Sequence, residues 1–531
     1  MSIQIIIKGI YISQTPTPDP GPDISIANMA LNISSTLARL SWQVTSSPVP
    51  STFSIERNDG GGWSEIESAY SMPVPFTGYK MTGINRNFYY LDNTVTPGGS
   101  YQYRIGSATS NTVTATGTTY YVKTGGSDAA AGTSDGTAWA SIDKAISSAQ
   151  SVGDLVLFNK GNTFTETGGT RYLDSGSGTS DNPIVWSSYG TGNKPILDVE
   201  DASGSGSSLS FRNVNYRWLH NLELTGARGA IIEFRTTSSD MSNIKLLNCD
   251  INASTLTGNQ GKAAVWFEEA GAGPDGWTST LFIDDVEIAY CNCTNSADSA
   301  FRAWACRSGC HMHNNYVQGH TDTAYTFSGG ANHICEYNEA KCTSLSTCSG
   351  SKANSQHHQL QNMIYRNNLF YDFGLFGLLL EAGYNCTVEY NTLYSTSGTL
   401  TGFGLDAGSS STYGGDLADG NVIRYNVFVG SGSTQAAFRI EEEEIESLTG
   451  KAWELSYSVD NNLIYETSGD IIKFYNPIGG NIVISTHAEF VSDWNPDHPN
   501  DINTDPLFTD AAGDDFTLQG GSPAAGWGYQ T

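Results

Sequence analysis

The stretch "IYRNNLFYDFGLFGLLLEAGYNCTVEYNTLY", residues 364–394, holds two versions of one phrase. "IYRNNLF" and "TVEYNTLY" each place an asparagine (Asn368, Asn391) after a short strand, and 23 residues separate the two. Between them "GLLLEA" is an apolar strand that ends on an acid, Glu381. A unit this short cannot enclose a core of its own, so its copies must stack and bury their apolar side chains against one another.

Outward from this stretch the same asparagine recurs as Asn221, Asn248, Asn292, Asn315, Asn338, Asn368, Asn391, Asn426 and Asn462. A minimum turn of 23 residues with insertions of variable length is the pattern of a solenoid that carries its loops on one side. Asparagine tolerates the left-handed backbone of a sharp bend, and stacked copies can hydrogen-bond along the axis, so the column reads as structural.

The strand after each asparagine aligns as "AVWFEE", "AFRAWA", "AYTFSG", "GSKANS", "GLLLEA", "GFGLDA", "AFRIEE" and "IIKFYN". Positions two and four are mostly apolar, as in Val265 and Phe267 or Leu378 and Leu380, and are predicted to face inward. Positions three and five then face out. Position five places Glu381, Asp406 and Glu441 on three successive turns, about 4.8 Å apart. A second column, Glu336, Arg366, Glu389, Arg424 and Asp460, alternates in sign as a stabilising ladder should. The acid row does not alternate. It destabilises unless protonated, cation-bound or offset by Arg439, which makes it a candidate site.

The formal charge of -28 excludes nucleic acid as a partner, and no apolar window is long enough for a membrane span. "MSIQIIIKGIYISQTPTPDPGPD" lacks the layout of a secretory signal, which suits a virion-associated or otherwise extracellular protein exported by another route. Nine cysteines crowd between Cys249 and Cys386. The spacing in "CRSGCHMH" matches no common zinc site, so buried thiols stacked inside the repeats are expected.

Three regions follow. Residues 1–23 read as an arm and a proline-rich linker. Residues 24–117 give short strands with turn punctuation, and with Trp42, Tyr101 and Tyr103 they resemble a fibronectin type III domain. Residues 118–531 open with a short amphipathic helix carrying Ile142, Ala145, Ile146 and Ala149 before the strand "DLVLF". That opening, "NPIVWSSYGTGNKPILD" and the ending "INTDPLFTDAAGDDFTLQGGSPAAGWG" resemble right-handed parallel β-helix proteins of the pectate-lyase-like superfamily. The fold class expected is all-β, a right-handed parallel β-helix preceded by a small β-sandwich. The whole layout resembles phage tailspikes and related polysaccharide depolymerases, which implies a polysaccharide substrate, a homotrimer and attachment to a virion through residues 1–23.

Two carboxylates on neighbouring turns suit glycoside hydrolysis, which needs no cofactor. Glu381 with Asp406 is spaced for retention and Glu381 with Glu441 for inversion. Trp266, Arg302, Trp304, Arg439 and His357 are candidate substrate contacts, the tryptophans either stacking on sugar rings or covered by loops. The rival chemistry is β-elimination from a uronate polymer. "SGSKANSQHH" is similar to the lysine segment of the alginate-lyase and chondroitinase-B family, which implies Lys352 as base and Asn354, Glu381 and Asp406 as calcium ligands. The chain departs from that family where its catalytic arginine falls, since Glu381 stands there. A non-catalytic glycan-binding fibre is the remaining alternative.

Overall fold

The structure is a computed structural model that describes residues 25–73, 86–200, 207–226, 229–253, 263–269, 281–296, 298–304, 306–342, 348–354, 360–381, 383–395, 401–406, 420–430, 437–441, 458–466, 472–475, 482–484, 486, 488 and 500–529. Asn354, Asp406, Arg439 and Glu441 are described by their backbone alone, and residues 1–23 and His357 lie outside the described residues.

The N-terminal unit is a sandwich of two antiparallel sheets. One holds β1 (Ile26–Ser34), β2 (Leu37–Val44) and β5 (Asn87–Asp92); the other holds β3 (Phe53–Asn58), β4 (Trp63–Tyr70), β6 (Ser100–Ile105), β7 (Ala108–Thr109) and β8 (Val113–Thr114). Trp42 fills the space between the sheets, with its ring centroid 5.2 Å from Phe53 and 5.8 Å from Phe88. Tyr101 and Tyr103 are buried as the alternation requires, and Tyr103 donates to Asp92 at 2.6 Å. The fibronectin type III resemblance goes no further than this architecture.

The chain then enters the solenoid through a tight crossing. A Cβ on Gly117 (φ +91°) would lie 2.1 Å from the carbonyl of Gly153, so neither backbone can retreat. Gly117→Ala is therefore expected to cost about 1–3 kcal/mol, read as a lower denaturation midpoint. The short helix α1 (Ile142–Ser148) is N-capped by Ser141, whose side chain accepts from Lys144 N, and it plugs the end of the solenoid with Ile142 and Ala145.

Three long sheets run along a parallel β-helix, with 12, 11 and 12 strands, and a six-stranded sheet runs beside them. Every strand pairs in parallel with its counterpart on the next turn, except an antiparallel closing pair between Ile472–Tyr475 and Ile482–Ile484. Inward positions stack like on like, as in Phe211, Phe234 and Phe267 at centroid spacings of 5.0 and 4.9 Å. The seven free cysteines among the described residues are all buried, while Cys342 and Cys348 form a disulfide.

The asparagine column divides into two jobs on adjacent residues. The left-handed bend falls on Asn221, Asn248, Tyr290, Asn314, Tyr337, Asn367, Tyr390, Tyr425 and Asn461. The residue after each bend points inward, and from Asn315 onward it is always asparagine: Asn315, Asn338, Asn368, Asn391, Asn426 and Asn462. Each of these donates its amide to the next at 2.9–3.2 Å, and the last donates to Asp501 at 3.0 Å. The single column read from the sequence therefore mixed the two positions. Asn221 and Asn248 are bends, and Asn292 lies one residue past the ladder. A buried amide needs a partner and a bend needs an unhindered φ, so one side chain cannot serve both.

Two of the three long sheets are covered. The sandwich sits on the first, where Arg39 reaches Glu287 at 2.9 Å and Asn87 donates to Glu336 at 2.9 Å. His313 and His311 also bond these two acids, at 3.4 and 2.9 Å. The C-terminal segment lies on the second, with Phe516 and Tyr529 packed on Leu369 and Tyr371. Among the described residues neither packs on the third sheet, the one that carries the strand aligned as "GLLLEA".

Candidate active site

On the third sheet the strands Val265–Glu269, Phe301–Ala303, Thr323–Ser328, Ser349–Asn354, Phe376–Glu381, Thr401–Asp406 and Phe438–Glu441 lie side by side in that order. The register pairs Asn354 with Glu381, Glu381 with Asp406, and Asp406 with Glu441. Four oxygen-bearing residues thus form one column. Inward neighbours Leu378 and Leu380 are fully buried, while Glu381, the one member of the column whose side chain is described, is partly exposed.

The row is not left uncompensated. Lys352, one turn earlier and one column over, holds its Nζ 3.2 Å from Glu381 Oε2, and both side chains are about a third exposed. In this geometry Lys352 is placed as an ion-pair partner of Glu381. The oxygen donors Asn354, Glu381 and Asp406 are of the type a hard cation takes. The ladder of Glu336, Arg366, Glu389 and Arg424 is confirmed as structural, with pairs at 2.5 and 2.8 Å.

A second pair of acids lies on the opposite edge of the same sheet. Phe301 is in register with Tyr325, so three residues back Asp298 faces Asp322 on the next turn. Arg302 Nη2 stands 3.5 Å from Asp298 Oδ1 and 3.4 Å from Asp322 Oδ2, and Ser299 Oγ is 2.9 Å from Asp322. The two carboxylates share one guanidinium but not one environment: the Asp298 side chain is 11% exposed and that of Asp322 is 50% exposed. Burial raises the Asp298 carboxyl above its ordinary range, Asp322 adds to the effect, and Arg302 with the Ser299 donors only partly opposes it.

Two of the predicted sugar contacts belong to this second cluster. Arg302 is its centre and also lies 5.2 Å over the Trp304 ring. Trp266 is 8% exposed and packs with Trp304 against Ala230 and Ala263, so it is a covered tryptophan and no open stacking surface. Alignment from the first residue of each strand missed Asp298 and Asp322. The signal was present in "SADSAF" and "HTDTAY", where consecutive copies place an aspartate before the strand. His320, Cys342 and Cys348 also converge within 4.8 Å, but a disulfide sulfur offers no thiolate to a metal.

No family model matches the chain. A lacto-N-biosidase of Bifidobacterium longum subsp. longum is 32% identical over 138 residues, which cover 22% of this chain and 8% of that protein. The chain thus spans under a tenth of the length of the curated relative it matches. Among solved structures, a lacto-N-biosidase from Eubacterium ramulus is similar with a TM-score of 0.44 and 14% identity, covering 68% of this chain and 67% of that one. Pectate lyase Pel9A gives 0.32 and 13%, covering 65% and 78%. The receptor-binding tailspike of bacteriophage Det7 gives 0.35 and 12%, covering 68% and 77%. None of these three scores reaches 0.5, and no residue role is carried across.

Proposed function

We propose that this chain is a carbohydrate-active enzyme that cleaves a glycan on the third sheet, as a glycoside hydrolase with Asp298 as general acid and Asp322 as its carboxylate partner. The observation that carries this is the pair's divided environment, since hydrolysis needs one carboxyl that keeps its proton and a second that is ionised. Burial favours the protonated form of Asp298, and the Asp322 side chain is open to solvent. Arg302 stands within ion-pair distance of both and lies over the Trp304 ring. The stretch matched to a lacto-N-biosidase supports a glycan substrate. The column of Glu381, Asp406 and Glu441 is the alternative seat for the same reaction, favoured by its register across three turns.

The test is product analysis on a panel of bacterial, algal and host-type glycans, following reducing ends and the ultraviolet absorbance of unsaturated uronates, with and without chelator. New reducing ends without absorbance, abolished in Asp298→Asn and kept in Glu381→Gln, are the expected result. Loss in Glu381→Gln alone would move the site to the acid column. Absorbance that disappears on chelation would instead support elimination at Lys352 with calcium held by Asn354, Glu381 and Asp406. Binding without any product would make the chain a glycan-binding fibre. Assembly as a homotrimer, with attachment to a virion through residues 1–23, is a separate proposal that sedimentation of the full chain checks.

A further inference from the structure

Ser299 is fully buried and reaches both carboxylates of the second acid pair. Its backbone N–H donates to Asp298 Oδ1 at 2.7 Å, and Arg302 Nη2 lies 3.5 Å from the same oxygen. Its hydroxyl lies 2.9 Å from Asp322 Oδ2, 3.3 Å from Asp298 Oδ1 and 3.0 Å from Arg302 Nη2. A hydroxyl has one hydrogen to give and lone pairs with which to accept, whereas a guanidinium only donates. Ser299 Oγ therefore accepts from Arg302, and its single hydrogen is left for one of the two acids. The shorter contact assigns that hydrogen to Asp322 Oδ2.

These bonds divide each carboxyl into a held oxygen and a free one. Asp298 Oδ1 and Asp322 Oδ2 take every contact, while among the described residues Asp298 Oδ2 and Asp322 Oδ1 have no partner, and neither is enclosed. An oxygen that already faces an N–H at 2.7 Å is a poor seat for a proton, because hydrogen would then face hydrogen. The proton that burial favours on Asp298 belongs on Oδ2. A carboxyl free to turn about its Cβ–Cγ bond presents either oxygen; one held at a single oxygen presents the other.

We propose that Ser299 is the positioning residue of this pair, its N–H and hydroxyl each holding one carboxyl so that Asp298 Oδ2 and Asp322 Oδ1 are the oxygens offered to substrate. This rests on the hydrolase reading above. As the glycosidic C–O bond breaks, the proton on Asp298 Oδ2 passes to the leaving oxygen, and Asp322 Oδ1 either bonds the sugar carbon or takes the proton of an attacking water.

Ser299→Ala in the full chain tests this, because it keeps the N–H on Asp298 and removes the hydroxyl that holds Asp322. The assay uses the panel glycan from which the parent chain releases reducing ends, with Asp298→Asn, Ser299→Cys and Ser299→Thr measured beside it. For Ser299→Ala, kcat should fall about 10–100-fold with KM within about twofold of the parent and the melting temperature kept. Ser299→Cys fills the same space with a weak donor and should be no better than alanine, while Ser299→Thr keeps the hydroxyl and should recover most of the rate. Ser299→Ala as fast as the parent, or a full rescue by cysteine, would overturn the proposal and leave Ser299 a packing residue. No product from the parent chain, or full activity in Asp298→Asn, would instead remove the hydrolase reading and this role with it; loss in Asp298→Asn beside an unaffected Ser299→Ala would remove this role alone.

Discussion

Asp298→Asn should lower turnover by about 10²–10⁴-fold while sugar binding changes little, because an amide keeps the shape and the bond from Ser299 N but has no proton to give to a leaving oxygen. Three readouts separate this from simple damage. Wild-type activity should fall as pH rises through the raised Asp298 pKa, since the acid form is lost there, and the variant should lack that alkaline limb. A substrate whose aglycone leaves without protonation should be cleaved nearly as fast by the variant as by the parent chain. Asp322→Asn should lose turnover on both kinds of substrate, and the double variant should be no slower than the slower single one. Rescue of Asp298→Asn failing on an activated substrate, with its melting temperature intact, would remove Asp298 from the acid's role.

What the sequence made legible follows from which interactions are local in the repeat. Period, inward positions and register are all encoded within about 23 residues, so Phe267, Leu380 and Phe403 could be assigned to the core by counting. The charge ladder was visible for the same reason, because Glu389 and Arg424 stand at one position of consecutive copies. The offset between bend and amide ladder was not, since asparagine is acceptable at both and the copies lacking it at one position hold tyrosine, cysteine or leucine. Compensation of Glu381 by Lys352 crosses columns, and column-by-column reading does not see a diagonal. The docking of the sandwich is further still from sequence, as Arg39 and Glu287 are 248 residues apart.

Those docking acids carry a pH consequence. Burial alone would raise Glu287 and Glu336, but Arg39, Lys245 and His313 hold the first well below the ordinary carboxylate range, and His311 with Arg366 does the same for the second. A depressed folded-state pKa contributes stability that is complete above the unfolded value near 4.5 and is lost as pH falls through the folded one. The seam should therefore hold at neutral pH and open in acid before the solenoid core melts. Limited proteolysis between pH 7 and pH 3 should cut near the junction first; simultaneous loss of both units would show that the seam acids contribute nothing separable.

Asn391→Leu should cost about 3–6 kcal/mol, more than any surface change, because the ladder is continuous and each amide serves three neighbours. Asn391 Oδ1 accepts from the backbone and side chain of Asn368 at 3.0 and 2.9 Å, while its Nδ2 donates to Asn426 Oδ1 and Tyr365 O, both at 3.0 Å. Leucine has the same branching and number of side-chain heavy atoms, so it leaves no cavity, while its bulkier methyl groups add a packing cost to the polar one. The donors of Asn368 and the carbonyl of Tyr365 then face a methyl group with no water at hand, at about 1–3 kcal/mol each. Asn391→Asp separates the two halves of the role: it keeps the accepting oxygen and loses the donor. Asp501 shows where that is tolerated, since as the ladder's terminus it accepts from Asn462 and need pass nothing on. Asn391→Asp should thus cost less than leucine and more than Asp501→Asn, which keeps the accepting atom in place. Denaturant midpoints at constant slope rank the three; a leucine variant as stable as the parent would mean that packing of the stacked aromatics, without the amide ladder, holds the turns in register.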